Sequence, residues 1–305
     1  MIPPKTPRMA LLLVPCTLLL SAGCAAIMTN MVRATLVEER SFPIAGQGSP
    51  AVIAETFNGG IKVAAIPGRE VKVKVTRIGC GRDQAAAEGD IANVQVAYAQ
   101  EGDTVRVVAT RAGSKLAWSS AAEIELQVPT DTALTLTSRN GRIHALGVHS
   151  PIVAHTTNGE IDVRAARGKL DLETSNGRID AEGTDAVVAA TTSNGEVRFV
   201  GNLATGEHSL KTSNGRVVLA VPSSAPLHVS ARTSNGRVTS ELAGLEVQDG
   251  KPGTNHLVGR LAGTPKASIG SGPIAEAEAA INVRLETSNG EISLQAVPAA
   301  EATRP

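Results

Sequence analysis

Two carboxylates recur at one place in a repeated segment of this chain. Asp162 stands four residues after Asn158, Asp180 four after Asn176, and Arg198 takes the same place after Asn194. Carboxylates stacked beside a cation could exchange protons with a glycosidic oxygen or hold calcium, the chemistry of a glycan lyase or hydrolase. The same residues also describe a solvated face on which Asp180 neutralises Arg198, and the plainer reading is favoured. His144, His149 and His155 are the best metal candidates, but His144 and His155 fall on opposite strands of one unit and no carboxylate spacing supports them. Phosphate-binding glycine loops, a G-x-S-x-G elbow and zinc-spaced cysteine pairs are absent. The expectation is a protein with no catalytic residues, no metal site and no cofactor.

A different chemistry is written at the start. Lys5 and Arg8 precede the apolar run Met9 to Leu20, which is too short to span a bilayer. The run ends in Leu20-Ser21-Ala22-Gly23-Cys24, which resembles the lipobox of bacterial lipoproteins. There the thiol, here of Cys24, carries diacylglycerol, and Ala25 after it favours the outer membrane. The resemblance implies an exported protein held in the cell envelope through lipidated Cys24. Its departure from the usual pattern is Ser21 three places before the cysteine, where leucine is customary. Cleavage before Cys24 removes two cations and no acid, so 29 basic against 29 acidic residues becomes 27 against 29. Cys16 leaves with the signal, Cys80 is then the one cysteine besides the lipid site, and no intramolecular disulfide can form.

Charge neutrality argues against nucleic acid, whose affinity comes mainly from a basic surface. The aromatic residues Phe42, Phe57, Tyr98, Trp118 and Phe199 are too few for a base-stacking or sugar-stacking platform. Hydrophobic residues still make up 42% of the chain, so a core of Val, Ile, Leu and Ala is expected.

The elements that must position these groups come from a repeat. Asn-Gly recurs at Asn58, Asn140, Asn158, Asn176, Asn194, Asn214, Asn235 and Asn289, with three consecutive spacings of 18. Two residues before each Asn stands Thr or Ser, four before it Ala or Leu, three after it Ile or Val. Period-two alternation on both sides of Asn-Gly reads as strand, turn, strand. Asn-Gly between such strands signals an antiparallel meander, but a parallel β-solenoid turns the same residues inward. One column favours the solenoid: Arg142, Glu160, Arg178, Glu196 and Arg216 alternate in sign, as neighbours about 4.8 Å apart on stacked coils should. The expected fold is all-β: a right-handed parallel β-solenoid of about 18-residue coils with T-S-N-G turns and one short helix near its N-terminal cap. The Asn column reads as a structural turn ladder and the Arg/Glu column as a charge ladder.

The expected organisation is a signal peptide over 1–23, a tether over 24–50, one solenoid domain over 51–298 and a tail over 299–305. Within the domain, 51–128 caps the first end and 129–298 carries the repeats, with a Gly/Pro-rich loop over 244–273. The T-x-N-G-x-[IV] units, the lead-in Glu123 to Pro129 and the closing unit Glu286 to Leu294 resemble the DUF4097 family, β-strand-repeat proteins related to the head-GIN domain. That resemblance implies an adhesin-like binding or scaffold role toward a protein or glycan surface. The alternatives are a glycan-active enzyme through Asp162 and Asp180, and an envelope-stress or signalling accessory.

Overall fold

The computed structural model describes residues 31–113, 120–262 and 281–297. The signal segment, Cys24, Trp118 and the tail lie outside the described residues. In chain order the elements are β1 (Val32–Pro43), β2 (Ala51–Thr56), β3 (Ile61–Ile66), β4 (Glu70–Gly81), α1 (Gln84–Ile91), β5 (Val94–Glu101), β6 (Thr104–Arg111), β7 (Ala121–Pro129), β8 (Ala133–Asn140), β9 (Ile143–Leu146), β10 (Ile152–Asn158), β11 (Ile161–Asn176), β12 (Ile179–Asn194), β13 (Val197–Leu203), β14 (Gly206–Asn214), β15 (Val217–Pro222), β16 (Leu227–Asn235), β17 (Val238–Ser240), β18 (Leu245–Gly250), β19 (His256–Leu261), β20 (Ile281–Asn289) and β21 (Ile292–Val297). No helix among them is long and apolar enough to cross a membrane.

Each repeat unit is a rung: a strand running into Asn-Gly, then a strand running away. Its two strands do not pair as a hairpin. Each pairs in parallel with the same strand of the next rung, so that Asn158 lies beside Asn176 and Ile161 beside Ile179. Alternation decides which side chains face in. In β16, Leu227, Val229, Ala231 and Thr233 are buried while His228, Ser230 and Arg232 face out. Stacked rungs thus enclose a thin layer of aliphatic side chains, with one ring, Phe199, admitted between Ala181 and Leu219 of its neighbours.

Two further columns close the turn. The Thr or Ser two places before each Asn is buried, and in successive rungs its hydroxyl donates to a turn carbonyl of the adjoining rung: Ser138 to Gly59 at 3.0 Å, Thr174 to Gly159 at 3.0 Å, Thr192 to Gly177 at 3.0 Å, Thr212 to Gly195 at 2.9 Å. The turn glycines stack with no room for a side chain, since a Cβ at Gly177 would lie 1.8 Å from the Gly159 oxygen.

Rungs do not stack in chain order at either end. The rung of β6 and β7 lies outside that of β2 and β3, which in turn pairs with β8 and β9. At the other end β20 pairs with β14 on one side and β16 on the other, and β21 likewise lies between β15 and β17. The C-terminal rung is therefore inserted between two rungs that are consecutive in sequence. Residues 51–66, expected as capping structure, are a rung of the stack.

The tether and the loop also need correction. Residues 32–43, assigned to the tether, form β1, antiparallel to β4, which is antiparallel to β7. Edge strands expose unpaired backbone, and β4, β1 and β5 cover the first end of the stack. Glu38 of β1 pairs with Arg77 and accepts from the Tyr98 hydroxyl of β5 at 3.0 Å, tying the two sides of the end together. Helix α1 packs Ala87 and Ile91 on Ala34, and Asp83 caps it by accepting from the Ala86 amide at 2.8 Å. Within the 244–273 loop, β18 and β19 form an antiparallel hairpin whose second strand covers β16. Chain in a Gly/Pro-rich stretch folds here because β16 would otherwise end in an open edge. Residues 263–273 lie outside the described residues.

Two units exceed 18 residues, with 20 from Asn194 to Asn214 and 21 from Asn214 to Asn235, and buried His208 lies in the first. Its buried ring accepts the Val188 amide at Nδ1 (3.2 Å), so Nε2 carries the proton and faces the Ala204 carbonyl at 2.9 Å. Burial holds its pKa below the ordinary value, against the Ala204 bond and Glu207. The unfolded chain binds a proton near pH 6.5 that the folded chain resists, so stability falls as pH drops below about 6.5. Urea midpoints at pH 7.5 and pH 5 should show this loss, and His208→Gln should reduce it.

Candidate functional site

The most regular exposed surface is the turn edge. Along it the Asn side chains form a hydrogen-bonded ladder, each Nδ2 donating to the next Oδ1: Asn158 to Asn140 at 2.7 Å, Asn176 to Asn158 at 2.9 Å, Asn194 to Asn176 at 2.9 Å, and Asn214 to Asn194 at 3.0 Å. The inserted rung continues it, with Asn289 donating to Asn214 at 2.8 Å and Asn235 to Asn289 at 2.9 Å. Asn58 departs from the ladder and donates to the Ser120 carbonyl at 2.8 Å. Identical amides at the strand spacing each satisfy the next, and a row of exposed serines (Ser175, Ser193, Ser213, Ser288 and Ser234) lies beside them.

The charged column runs alongside. Glu160 accepts from Arg142 at 2.6 Å and from Arg178 at 2.7 Å. The Arg178 pKa is raised, chiefly by its hydrogen bond to Glu160. Beyond Arg178 the backbone places Glu196, Arg216, Glu291 and Arg237 on successive rungs. In stacked order the signs alternate without a break from Arg142 to Arg237. In chain order they do not, because Arg237 follows Arg216. Glu291 is the residue that sequence reasoning missed, and the broken alternation was the signal for it.

Replacing Glu160 by Arg would set three cations in a row. The flanking guanidinium side chains are 63% and 51% exposed, so solvent screens most of the repulsion. Glu160→Arg should cost about 1 kcal/mol, less in 1 M salt, read from denaturant midpoints at two ionic strengths.

The face carrying the two carboxylates is a closed ion-pair wall. Asp162 lies beside Asp180, and Asp180 beside Arg198, in the parallel register. Arg164 reaches Asp162 at 2.7 Å, Asp180 at 3.1 Å and Glu182 at 3.3 Å, and Arg198 reaches Asp180 at 3.4 Å. Asp180 is buried. Burial would lower the Arg164 pKa, but Asp180, Asp162 and Glu182 outweigh it and raise it. These carboxylates are taken up in ion pairs with two guanidinium groups and line no open cleft.

The three histidines do not converge. His144 Nδ1 lies 3.3 Å from Asp162 on one face, His155 Nδ1 lies 3.4 Å from Glu173 on the other, and exposed His149 sits in the turn after β9. Among the described residues no group of three or more His, Cys, Asp or Glu is arranged to hold a metal ion. Cys80 is buried on β4, where its amide donates to Asp90 at 3.1 Å.

No protein-family model matches this chain, and no curated protein matches it. Three solved structures are similar to it. A candidate cell adhesion protein from Clostridium sporogenes is 13% identical over 86% of this chain and 99% of its own, with a TM-score of 0.39. A candidate adhesin from Bacteroides fragilis is 12% identical over 85% and 96%, with a TM-score of 0.38. A candidate adhesin from Parabacteroides distasonis is 7% identical over 85% and 96%, with a TM-score of 0.27.

Proposed function

We propose that this chain is a bacterial cell-envelope lipoprotein of the DUF4097 kind, anchored through Cys24. Its right-handed β-solenoid of about 18-residue coils serves, without catalysis, as an adhesin-like binding or scaffold module. The observation that carries this reading is the contrast between two faces. The carboxylates that could do chemistry are consumed in ion pairs with Arg164 and Arg198. The turn edge instead offers the same Ser, Asn and charged groups on rung after rung, held rigid by the amide ladder. Repeated weak contacts along such an edge add up to firm attachment to a repetitive surface, by effective concentration rather than by any one tight site.

Two measurements test it. Envelope fractionation should find the protein with membranes and the Cys24→Ala variant released; identical fractionation of both would reject the anchor. Turnover of any envelope or host polysaccharide, abolished by Asp162→Ala and Asp180→Ala, would replace the binding role with the glycan-active enzyme.

A further inference from the structure

We infer that the end of the stack built from β1, β4 and α1 is the membrane-facing surface, with the β18–β19 hairpin at the far end. This rests on Cys24 being the acylated residue. β1 begins at Val32, not after residue 50, so only seven residues separate Cys24 from folded strand. From Cys24 to Val32 the chain spans at most roughly 28 Å when fully extended. β1 is the outermost strand of its side, followed by β4, β7, β3, β9, β11, β12, β13, β15, β21 and β17. At the strand spacing that row is about 48 Å long. Turned over, with β18 and β19 against the bilayer, the protein would hold Val32 farther out than its connection to Cys24 allows.

Lying flat is disfavoured by the surface. The large exposed hydrophobic residues among those described are Met31, Leu146 and Val247, which sit at separate places and make no apolar stripe along the stack. Met31 adjoins the anchored strand, and exposed Arg33 stands at the same end, where acidic headgroups would meet it; Arg82 beside it pairs with Asp83 at 3.3 Å. The near surface is therefore a lipid headgroup layer, and the Asn and charge ladders rise from it toward whatever the protein meets.

Arg82 follows β4 and Lys251 follows β18, so both lie on the turn edge at opposite ends. The full-length acylated protein would carry a fluorophore on an encoded azido residue replacing Arg82 or Lys251. It would be reconstituted into phosphatidylethanolamine/phosphatidylglycerol vesicles containing an acceptor-labelled lipid. Energy transfer at position 82 should exceed that at 251 at least twofold, and twenty Gly/Ser residues inserted before Met31 should erase the difference. Equal or reversed transfer, in protein that incorporates labelled palmitate at Cys24, overturns the orientation and leaves the anchor standing. Absence of palmitate incorporation removes the anchor and this orientation with it.

Discussion

Gly177→Ala should cost about 3–5 kcal/mol and lower the melting temperature sharply. Two penalties combine in one methyl group. The new Cβ would fall 1.8 Å from the Gly159 carbonyl oxygen, so two rungs must part. Overpacking of that kind costs about 1–3 kcal/mol and sometimes more. The same carbonyl accepts the buried Thr174 hydroxyl at 3.0 Å, and a strained or lost bond there adds about 1–3 kcal/mol. Gly177 sits mid-stack, so the defect also separates the rungs on either side of it. Gly89 in α1 provides the contrast, since a Cβ there meets nothing within 4 Å. Gly89→Ala should be neutral or stabilising by about 0.5–1 kcal/mol. Urea denaturation of both variants checks the pair, and similar midpoints would refute the glycine spine.

Truncation after residue 262 should have a larger effect than its position suggests. In a stack laid down in chain order, losing the last unit would leave a shorter, intact stack. Here residues 281–297 sit between the rung ending at Pro222 and the rung starting at Leu227. Their removal takes out Ile281, Val283, Leu285, Ile292 and Leu294, all buried. At about 1.5–3 kcal/mol for each such side chain, this is comparable to the whole stability of a domain, about 5–15 kcal/mol. Direct docking of β16 and β17 on β14 and β15 would place Arg237 against Arg216. Limited proteolysis of the truncated chain should therefore cleave 227–262 while the rungs up to Pro222 stay protected, as nearest-neighbour stability implies. A synthetic peptide of residues 280–298 should restore protection. Undiminished protection of 227–262 without the peptide would refute the insertion.

Much of the candidate site was legible because its columns are local. Ser175, Asn176 and Arg178 recur at fixed places in each unit, and period-two alternation sends Thr174 inward and Ser175 outward whatever lies above or below. Parallel stacking was legible too, in the alternating signs from Arg142 to Arg216. What escaped was tied to ends and insertions. β1 and the β18–β19 hairpin carry no T-S-N-G motif, and neither does the rung of β6 and β7. At Asp162 and Asp180 the neighbouring Arg198 was legible, and the rest of the ion-pair wall escaped for another reason. It depends on Arg164, two residues along the strand from Asp162, swinging across the face to reach the next rung.

Sequence alone determined the strand–turn–strand unit, the inward aliphatic and Thr columns and the sign of each charged place. These follow from side-chain period and turn chemistry within a single unit. Tertiary structure decided where the rung of β6 and β7 and the C-terminal rung of β20 and β21 join the stack. A rung presents the same aliphatic face and the same Asn, Thr and Gly to any neighbour, so those columns do not rank the possible stacking orders. The order is set by long-range demands: every interior strand needs partners on both edges, each end must be covered, and Glu291 finds opposite charge between Arg216 and Arg237.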